Sequence, residues 1–303
     1  MAPSTSAVVA VTGAIELAPK LALRTTLTTT VDDSRARRAY GLLLRNRVEY
    51  DTTEFRFFAN VDSGINSLNE RNIFTLGDFL PRDENFVTQT FMPGFAYKFG
   101  TGEIGASVSM SRVAFLDTDI FGLDRSHNVV QPNAFLSVKA SGVEVEGSLS
   151  PYFATYDTTD FDNVRLLLYT AKLKYQTGVW TFGVGSSRTV QDTTLSFASL
   201  DTALSHEASV SYRIDDKNAV SLLTRYRRDD YLGTDLWSTT FHFAHDFGDG
   251  YIGTAGASVR QVRRPDEVQP WALNLQVGFQ KKLEFGDVPK PATDKVAEAK
   301  IAQ

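Results

Sequence analysis

The sequence predicts an all-β fold, a transmembrane antiparallel up-and-down β-barrel of about 14 strands. Three observations lead to this prediction. Apolar and polar residues alternate in one segment after another, as they do in strands with one apolar and one polar face. The segments exceed the roughly five or six residues that are usual in globular strands, but they suit strands that cross a bilayer at a tilt. Aromatic residues gather at the segment ends, as at lipid and water interfaces.

The stretch from Trp271 to Phe285 shows the alternation most clearly. Its odd-numbered positions are apolar except for Lys281, and its even-numbered positions are polar or small. Aromatic residues lie at both ends, as they do when rings mark the two interfaces of a bilayer. We expect this stretch to be the last strand and to close the barrel.

The same alternation predicts the other strands in chain order. They are Leu21–Val31, Tyr40–Tyr50, Phe55–Val61, Val87–Phe99, Ile104–Ser111, Val129–Ala140, Val143–Thr155, Val164–Tyr175, Val179–Thr189, Leu204–Ile214, Ala219–Arg228, Asp235–Phe247 and Tyr251–Val262. Pro93, Pro132 and Pro151 fall inside three of these strands, and each removes a ladder hydrogen bond. The alternation therefore leaves the exact registers near these prolines open.

Short and long connections alternate along the chain. We call the end with the short turns the turn end, and the other the loop end. Outer-membrane barrels show this asymmetry, with short periplasmic turns and long extracellular loops. An aromatic girdle is predicted at the turn end, formed by Tyr50, Phe55, Tyr97, Phe99, Tyr175, Trp180, Tyr212, Phe247, Tyr251 and Phe285.

The longest predicted connection, Asp62 to Asn85, is unusually apolar. It contains Ile65, Leu68 and Leu80, together with the residues Ile73, Phe74, Leu76 and Phe79. Two interpretations remain open: this loop folds inward as a gate built from Ile73, Phe74, Leu76 and Phe79, or it packs over the barrel rim.

The predicted barrel comprises residues 21–285, and the segments before and after it also have alternative interpretations. Residues 1–20 are predicted as a lead-in, either periplasmic or a lumen plug, and residues 286–303 as a periplasmic tail that either docks a protein partner or is a disordered end.

Composition excludes several other functions. The net charge of -5 gives no electrostatic footprint for nucleic acid. The chain has no cysteine, which removes disulfides, thiolate metal sites and cysteine nucleophiles. The four histidines match no metal signature, and no Gly-x-Ser-x-Gly elbow occurs, so we expect neither an enzyme nor a cofactor. A soluble β-sandwich is the alternative fold, because alternation alone does not distinguish lipid from a second sheet.

The predicted register places a set of mostly basic side chains on the polar side of the strands, which would line the lumen of a barrel. The set is Arg24, Arg45, Arg47, Glu49, Arg56, Lys98, Lys139, Lys172, Lys174, Arg213, Arg225, Arg227 and Arg260. A basic excess of this kind raises the local concentration of anions. Pairing with acids such as Glu54 would instead seal the interior, and both outcomes are open.

From Leu21 to Phe285 the pattern resembles the Gram-negative outer-membrane β-barrel class, and within it the small monomeric fourteen-strand porins and uncharacterised proteobacterial β-barrel porins. The resemblance implies a bacterial outer-membrane location, with the lipid bilayer and lipopolysaccharide as partners. As function we expect passive diffusion of small hydrophilic solutes, with anions among them because the predicted lumen set is mostly basic. The alternative is a non-conducting anchor or an assembly or export component, for example for exopolysaccharide, that binds a partner through its loops or tail.

The prediction that hydrocarbon covers the apolar side of the strands has a direct test. We expect the purified chain to be monodisperse only in detergent or lipid, because the apolar residues then have no protein layer to cover them. Light scattering in buffer with and without detergent measures this. A monodisperse chain in buffer alone would contradict the membrane barrel and favour the sandwich.

Overall fold

The computed structural model describes residues 5–33, 37–70, 84–118, 122–192, 200–230, 233–265 and 267–281. These residues form one antiparallel sheet. Its strands are β1 (Thr5–Ala18), β2 (Leu21–Asp33), β3 (Arg37–Asp51), β4 (Phe55–Glu70), β5 (Glu84–Phe99), β6 (Gly102–Phe115), β7 (His127–Ala140), β8 (Val143–Tyr156), β9 (Val164–Thr177), β10 (Trp180–Asp192), β11 (Leu200–Arg213), β12 (Asn218–Asp229), β13 (Thr234–Gly248), β14 (Tyr251–Arg264), β15 (Glu267–Val268) and β16 (Ala272–Lys281).

Each strand pairs with its neighbours in sequence, so the topology is up-and-down throughout. β15 and β16 both pair with β14 and lie one after the other along it. Within the described residues, β1 and the β15–β16 line are the two edges of the sheet, and no pairing joins them. No helix in the described part of the chain is long and apolar enough to cross a membrane.

Tight turns at the turn end fix the register of the hairpins. Between β7 and β8 the turn consists of Ser141 and Gly142, both with positive φ, at 49° and 80°. Such two-residue turns match the twist of the flanking strands. A Cβ on Gly142 would lie 2.4 Å from the Gln176 carbonyl oxygen of β9, so this position requires glycine for space as well as for conformation.

The two faces of the sheet differ as the alternation predicts. Along the ladders, one face presents large apolar side chains that are exposed on strand after strand, such as Phe57, Phe95, Phe182 and Phe241. On the turn-end part of this face Phe55 lies 5.4 Å from Tyr97, and Trp180 lies 4.6 Å from Tyr212, ring centroid to ring centroid. These contacts bring members of the predicted girdle together. Phe285 lies outside the described residues.

The opposite face, which we call the polar face, is concave. The Phe58 ring of β4 lies 6.3 Å from the Phe135 ring of β7, although β5 and β6 run between them. The rings lie flat on the sheet because the residues beneath them are Gly94 of β5 and Gly105 of β6. A Cβ on either glycine would come within 2.4 Å of the overlying ring. A single cavity on this face is lined by residues of six strands, β5 to β10, and this requires a sheet that curls toward the polar face.

The structure corrects four expectations. Fourteen strands were predicted, and the described residues form sixteen. The predicted lead-in contains β1, which pairs with β2 from Thr5↔Asp33 to Ala18↔Leu21, so these residues are part of the sheet. β1 was missed because its polar face carries Val8 and Ala10, which weakens the alternation.

The third and fourth corrections concern the long connection and the last strand. β4 continues to Glu70 and β5 begins at Glu84, so Ile65 is a strand residue on the apolar face. The last strand starts at Ala272 after the separate β15, because Pro270 lies between them and cannot donate to the ladder. β16 is an edge among the described residues, so closure by this strand is not seen.

The glycines beneath the aromatic rings generate a stability prediction. We expect Gly105→Ala to lower the free energy of unfolding by about 1–3 kcal/mol, since the new methyl would meet the Phe135 ring and the Phe95 carbonyl oxygen, both at 2.4 Å. Gly147→Ala is the matched control in β8, where the nearest atom is 3.8 Å away. Urea unfolding in lipid vesicles measures both, and an equal loss in the two variants would contradict the ring-stacking explanation.

Candidate functional site

The polar face carries every residue of the predicted lumen set. Cross-strand pairs connect each strand to the next, so the face of a residue can be followed across the sheet. Examples are Arg24↔Arg47, Lys98↔Glu103, Lys139↔Glu144 and Arg225↔Ser238. All thirteen predicted residues therefore share one face with Phe58 and Phe135. Whether they line a water-filled lumen stays a prediction.

Near the turn end, several of these charged side chains form a network of ion pairs. Arg47 pairs with Glu49 at 2.8 Å, and Arg56 pairs with Glu103 at 2.5 Å and with Glu49 at 4.0 Å. The Arg47 guanidinium also lies 4.8 Å from the centroid of the Phe58 ring, at cation–π distance. This cluster covers the polar face of β3 to β6 and corresponds to the sealing arrangement that the sequence left open.

Other basic residues divide into paired and unpaired groups. Arg45 pairs with Asp62 at 2.9 Å, Lys174 with Glu144 at 3.7 Å and Arg225 with Glu207 at 3.2 Å, and Lys98 also contacts Asp51. Among the described residues, no ion pair involves Arg24, Lys139, Lys172, Arg213, Arg227 or Arg260. These six cations therefore have no direct ion pair in the described part of the chain, although Glu146 lies opposite Lys172.

Two of the unpaired cations lie together on β9 to β12. A recess of about 260 Å³ is lined by Lys172, Arg225 and Arg227 with several serine side chains and one carboxylate, Glu207. Gly185 leaves room for Glu207, whose Cγ lies 3.0 Å from where a Cβ would stand. Arg227 faces Ser205 and Leu236 on the neighbouring strands, neither of which carries charge. This recess is the part of the polar face best suited to hold an anion.

A larger cavity of about 490 Å³ lies on the polar face of β5 to β10. Its lining is mostly hydroxyl, amide and apolar, with no carboxylate among the residues that form it. The lining residues are Thr88, Thr90, Ser111, Val113, His127, Val129, Gln131, Ser148, Ser150, Tyr152, Leu168, Tyr169, Thr170, Arg188, Thr189 and Val190. Arg188 is paired with Asp230 at 3.1 Å. The volume is in the range of small-molecule sites.

Above this cavity, toward the loop end, side chains pack into an apolar cluster. Its buried members are Val129, Tyr152, Ala154, Tyr156, Leu168 and Leu200. Beside it the connection between β6 and β7 turns inward, and Arg125 and His127 are only 2% and 1% exposed. Arg125 pairs with Glu84 at 3.4 Å, and His127 Nδ1 lies 2.8 Å from the Arg125 carbonyl oxygen. The interior is thus filled at the loop end on this side.

The sequence did not single out this inward connection as a site. Its sequence mixes apolar residues such as Leu116 and Leu123 with charged ones such as Asp124 and Arg125, and no periodicity marks which of them are buried. The predicted gate residues Ile73, Phe74, Leu76 and Phe79 lie outside the described residues, as do residues 286–303. Within the part of the chain that the structure describes, no group of histidine and acidic residues could hold a metal ion.

Comparison with known proteins identifies the fold. No family model matches the chain, and no curated protein matches it either. Solved structures do match. FpvAI in complex with pyocin S2 is 11% identical, with a TM-score of 0.56 over 93% of this chain and 54% of that one. The alcaligin outer-membrane receptor FauA from Bordetella pertussis is 10% identical, with a TM-score of 0.55 over 93% and 58%. The FrpB iron transporter from Neisseria meningitidis, variant F3-3, is 10% identical, with a TM-score of 0.55 over 90% and 57%.

This likeness confirms an all-β, antiparallel, up-and-down sheet of the outer-membrane barrel class, in agreement with the predicted outer-membrane location. The chain spans little more than half the length of these structures. FauA is a receptor and FrpB a transporter, rather than the small fourteen-strand porins that the sequence pattern resembles.

A pH prediction concerns the inward connection. The Arg112 guanidinium forms two hydrogen bonds to the Asp157 carboxylate, at 2.7 and 2.5 Å, and lowers the pKa of Asp157. The Asp157 amide in turn donates to the Ser126 carbonyl at 3.0 Å. Because the folded-state pKa is depressed, this pairing stabilises the connection above the ordinary aspartate pKa of about 4 and is lost as the pH falls through the lower folded value.

We therefore expect the Asp157 amide to be well protected at neutral pH, judged by its exchange rate relative to the intrinsic rate at the same pH, and to lose this protection as the pH falls below about 4 through the depressed pKa. Asp157→Asn should show the faster exchange already at pH 7. Hydrogen exchange read by mass spectrometry measures both. Identical protection in the variant and the parent chain at pH 7 would rule out this role for the ion pair.

Proposed function

We propose that the chain forms an outer-membrane passage along whose polar face small hydrophilic solutes, preferably anions, diffuse. The observation that carries the proposal is the division of the sheet into two faces. One face exposes apolar side chains suited to lipid, and the concave face carries charged and hydroxyl side chains suited to water. A hydrated concave wall in a bilayer provides a route that the hydrocarbon does not.

The preference for anions is supported by the unpaired cations. Arg24, Lys139, Arg227 and Arg260 have no ion pair among the described residues, and positive charge on a concave wall raises the local concentration of anions. Lys139 and Lys172 contribute less, since they lie directly opposite Glu144 and Glu146 on β8. The recess formed with Arg225 and Arg227 is the strongest candidate for an anion contact along the route.

Specific uptake is the second candidate, and the fold likeness favours it. FauA is an outer-membrane receptor for alcaligin, and FyuA from Yersinia pestis, 10% identical with a TM-score of 0.53, is a ferric yersiniabactin uptake receptor. A receptor would bind its solute at a defined site and conduct little on its own. The filled loop end beside Arg125 and His127 suits such a closed resting state.

Single-channel recording in planar bilayers distinguishes the candidates. We expect stable conductance steps after insertion, because an open polar wall admits hydrated ions. Insertion is confirmed separately by protease protection. A silent bilayer with confirmed insertion would contradict the diffusion route and favour a receptor or a non-conducting anchor or export component.

A charge-removal series tests the anion preference. We expect replacing Arg45, Arg47, Arg225 and Arg227 by Ser to lower the ratio of anion to cation permeability by at least ~2-fold, since positive potential along the route is lost. Lys217→Ser is the matched control, because Lys217 lies in the exposed turn between β11 and β12. Reversal potentials in a salt gradient measure the ratio, and unchanged values in the fourfold variant would remove these arginines from the route.

A further inference from the structure

The ladder between β7 and β8 is interrupted at mid-height. It runs from His127↔Tyr156 to Val130↔Phe153 and resumes at Ala134↔Leu149. When the same register is extended through the interruption, Pro132 lies opposite Pro151. This is the only seam of the described sheet where two prolines face each other.

The directions of neighbouring backbone amides show that Pro132 and Pro151 occupy a position where an antiparallel pair normally forms two hydrogen bonds. The Lys139 amide donates to the Thr101 carbonyl beside β6, so odd-numbered residues of β7 face β6 and even-numbered ones face β8. The Asp157 amide donates to the Ser126 carbonyl, so odd-numbered residues of β8 face β7. Pro132 and Pro151 therefore face each other. Neither nitrogen bears a hydrogen, so the pair forms neither bond.

The interruption leaves a window in the seam. From Val130 to Ala134 it extends for roughly 13 Å at about 3.3 Å per residue. One side-chain contact spans it on the polar face, where the Ser150 hydroxyl donates to Asn133 Oδ1 at 2.6 Å. Irregular backbone at membrane depth is tolerated where it lines a water-filled cavity, because water then satisfies the carbonyls.

Such a cavity lies directly behind the window. Gln131, Ser148 and Ser150 flank the two prolines and line the 490 Å³ cavity. Its walls combine hydroxyl groups with an apolar region formed by Val113, Val129, Tyr152, Leu168 and Val190. On the other side of the seam, Leu149 and Phe153 are 50% and 42% exposed on the apolar face. The window thus joins a mixed polar and apolar cavity to the surface suited to hydrocarbon.

We propose that the β7–β8 seam is a lateral exit, through which an amphipathic solute with a single alkyl chain passes from the cavity into the bilayer. The hydroxyl groups of the cavity bind the polar head and the apolar wall accepts the chain. Because two ladder hydrogen bonds are missing, separating β7 from β8 here costs less free energy than separating the strands at other seams. The β5–β6 ladder is also interrupted, between Phe91↔Met110 and Gly94↔Ser107, where Pro93 lies, whereas the β6–β7 ladder is continuous.

A reversible lock tests the exit. Asn133 and Ser150 form a pair without ladder hydrogen bonds, where Cα atoms are about 4.5 Å apart, within the range for a disulfide. Because the chain has no cysteine, N133C/S150C can be oxidised and reduced cleanly. The probe is a fluorescent dodecanoate added to outer-membrane vesicles that contain the protein. We expect oxidation to reduce uptake roughly tenfold, since opening the window then requires breaking a covalent bond, and reduction to restore it.

The matched control is S211C/S221C, a polar-face pair of the same type on the intact β11–β12 seam. Its oxidation should leave uptake unchanged. P132V/P151V is the second variant, since it restores both amides. It should reduce uptake roughly tenfold without any disulfide, because two recovered hydrogen bonds shift the equilibrium between the open and the closed seam by about that factor. Uptake that is insensitive to both the lock and the valines, or an equal loss in the control, overturns the exit.

The proposal is independent of the diffusion route along the polar face. Conductance recorded on the same variants separates them. Steps that persist in oxidised N133C/S150C while dodecanoate uptake falls support both proposals. A silent bilayer with lock-sensitive uptake supports the exit and contradicts the diffusion route, whereas conductance with lock-insensitive uptake overturns the exit alone.

Discussion

The structure depends on one constraint: a sheet in hydrocarbon must satisfy its backbone hydrogen bonds within itself, because lipid offers no partner. The up-and-down topology meets this constraint strand by strand, with tight turns such as Ser141–Gly142 keeping neighbours in register. The same constraint makes the Pro132–Pro151 pair unusual. Where a ladder lacks donors, water or a side chain has to replace them, and both the cavity and the Asn133–Ser150 contact lie at that position.

The polar face shows how curvature and charge are connected. Gly94 and Gly105 allow the Phe58 and Phe135 rings to lie flat against the sheet, and the curl of the sheet places residues of β5 to β10 around one cavity. Arg56 then reaches Glu103 across β5. Such ion pairs cover one part of the polar face, whereas Arg227 has no ion pair and lines the recess formed by β9 to β12. The fold therefore decides where on the polar face the charge of the predicted basic set is paired and where it is not.

The fold likeness and the polar face bear on different questions. Matches at 10–11% identity to outer-membrane receptors and transporters establish the sheet, since fold alone does not fix function. The function depends on local features: a neutral cavity beneath an apolar cluster, a cationic recess and a weakened seam. These features favour a route for small solutes along the wall, and a separate one through it.

The sequence by itself determined the all-β fold, the positions of most strands and the face on which each charged side chain lies, because the two-residue period of a strand is a local property. It missed β1, where Val8 and Ala10 weaken the alternation, and it ended β4 too early. Only the tertiary structure decided which cations are paired, that Pro132 faces Pro151, and that Arg125 and His127 turn inward. Those facts depend on contacts between strands that are distant in sequence, and no local period encodes them.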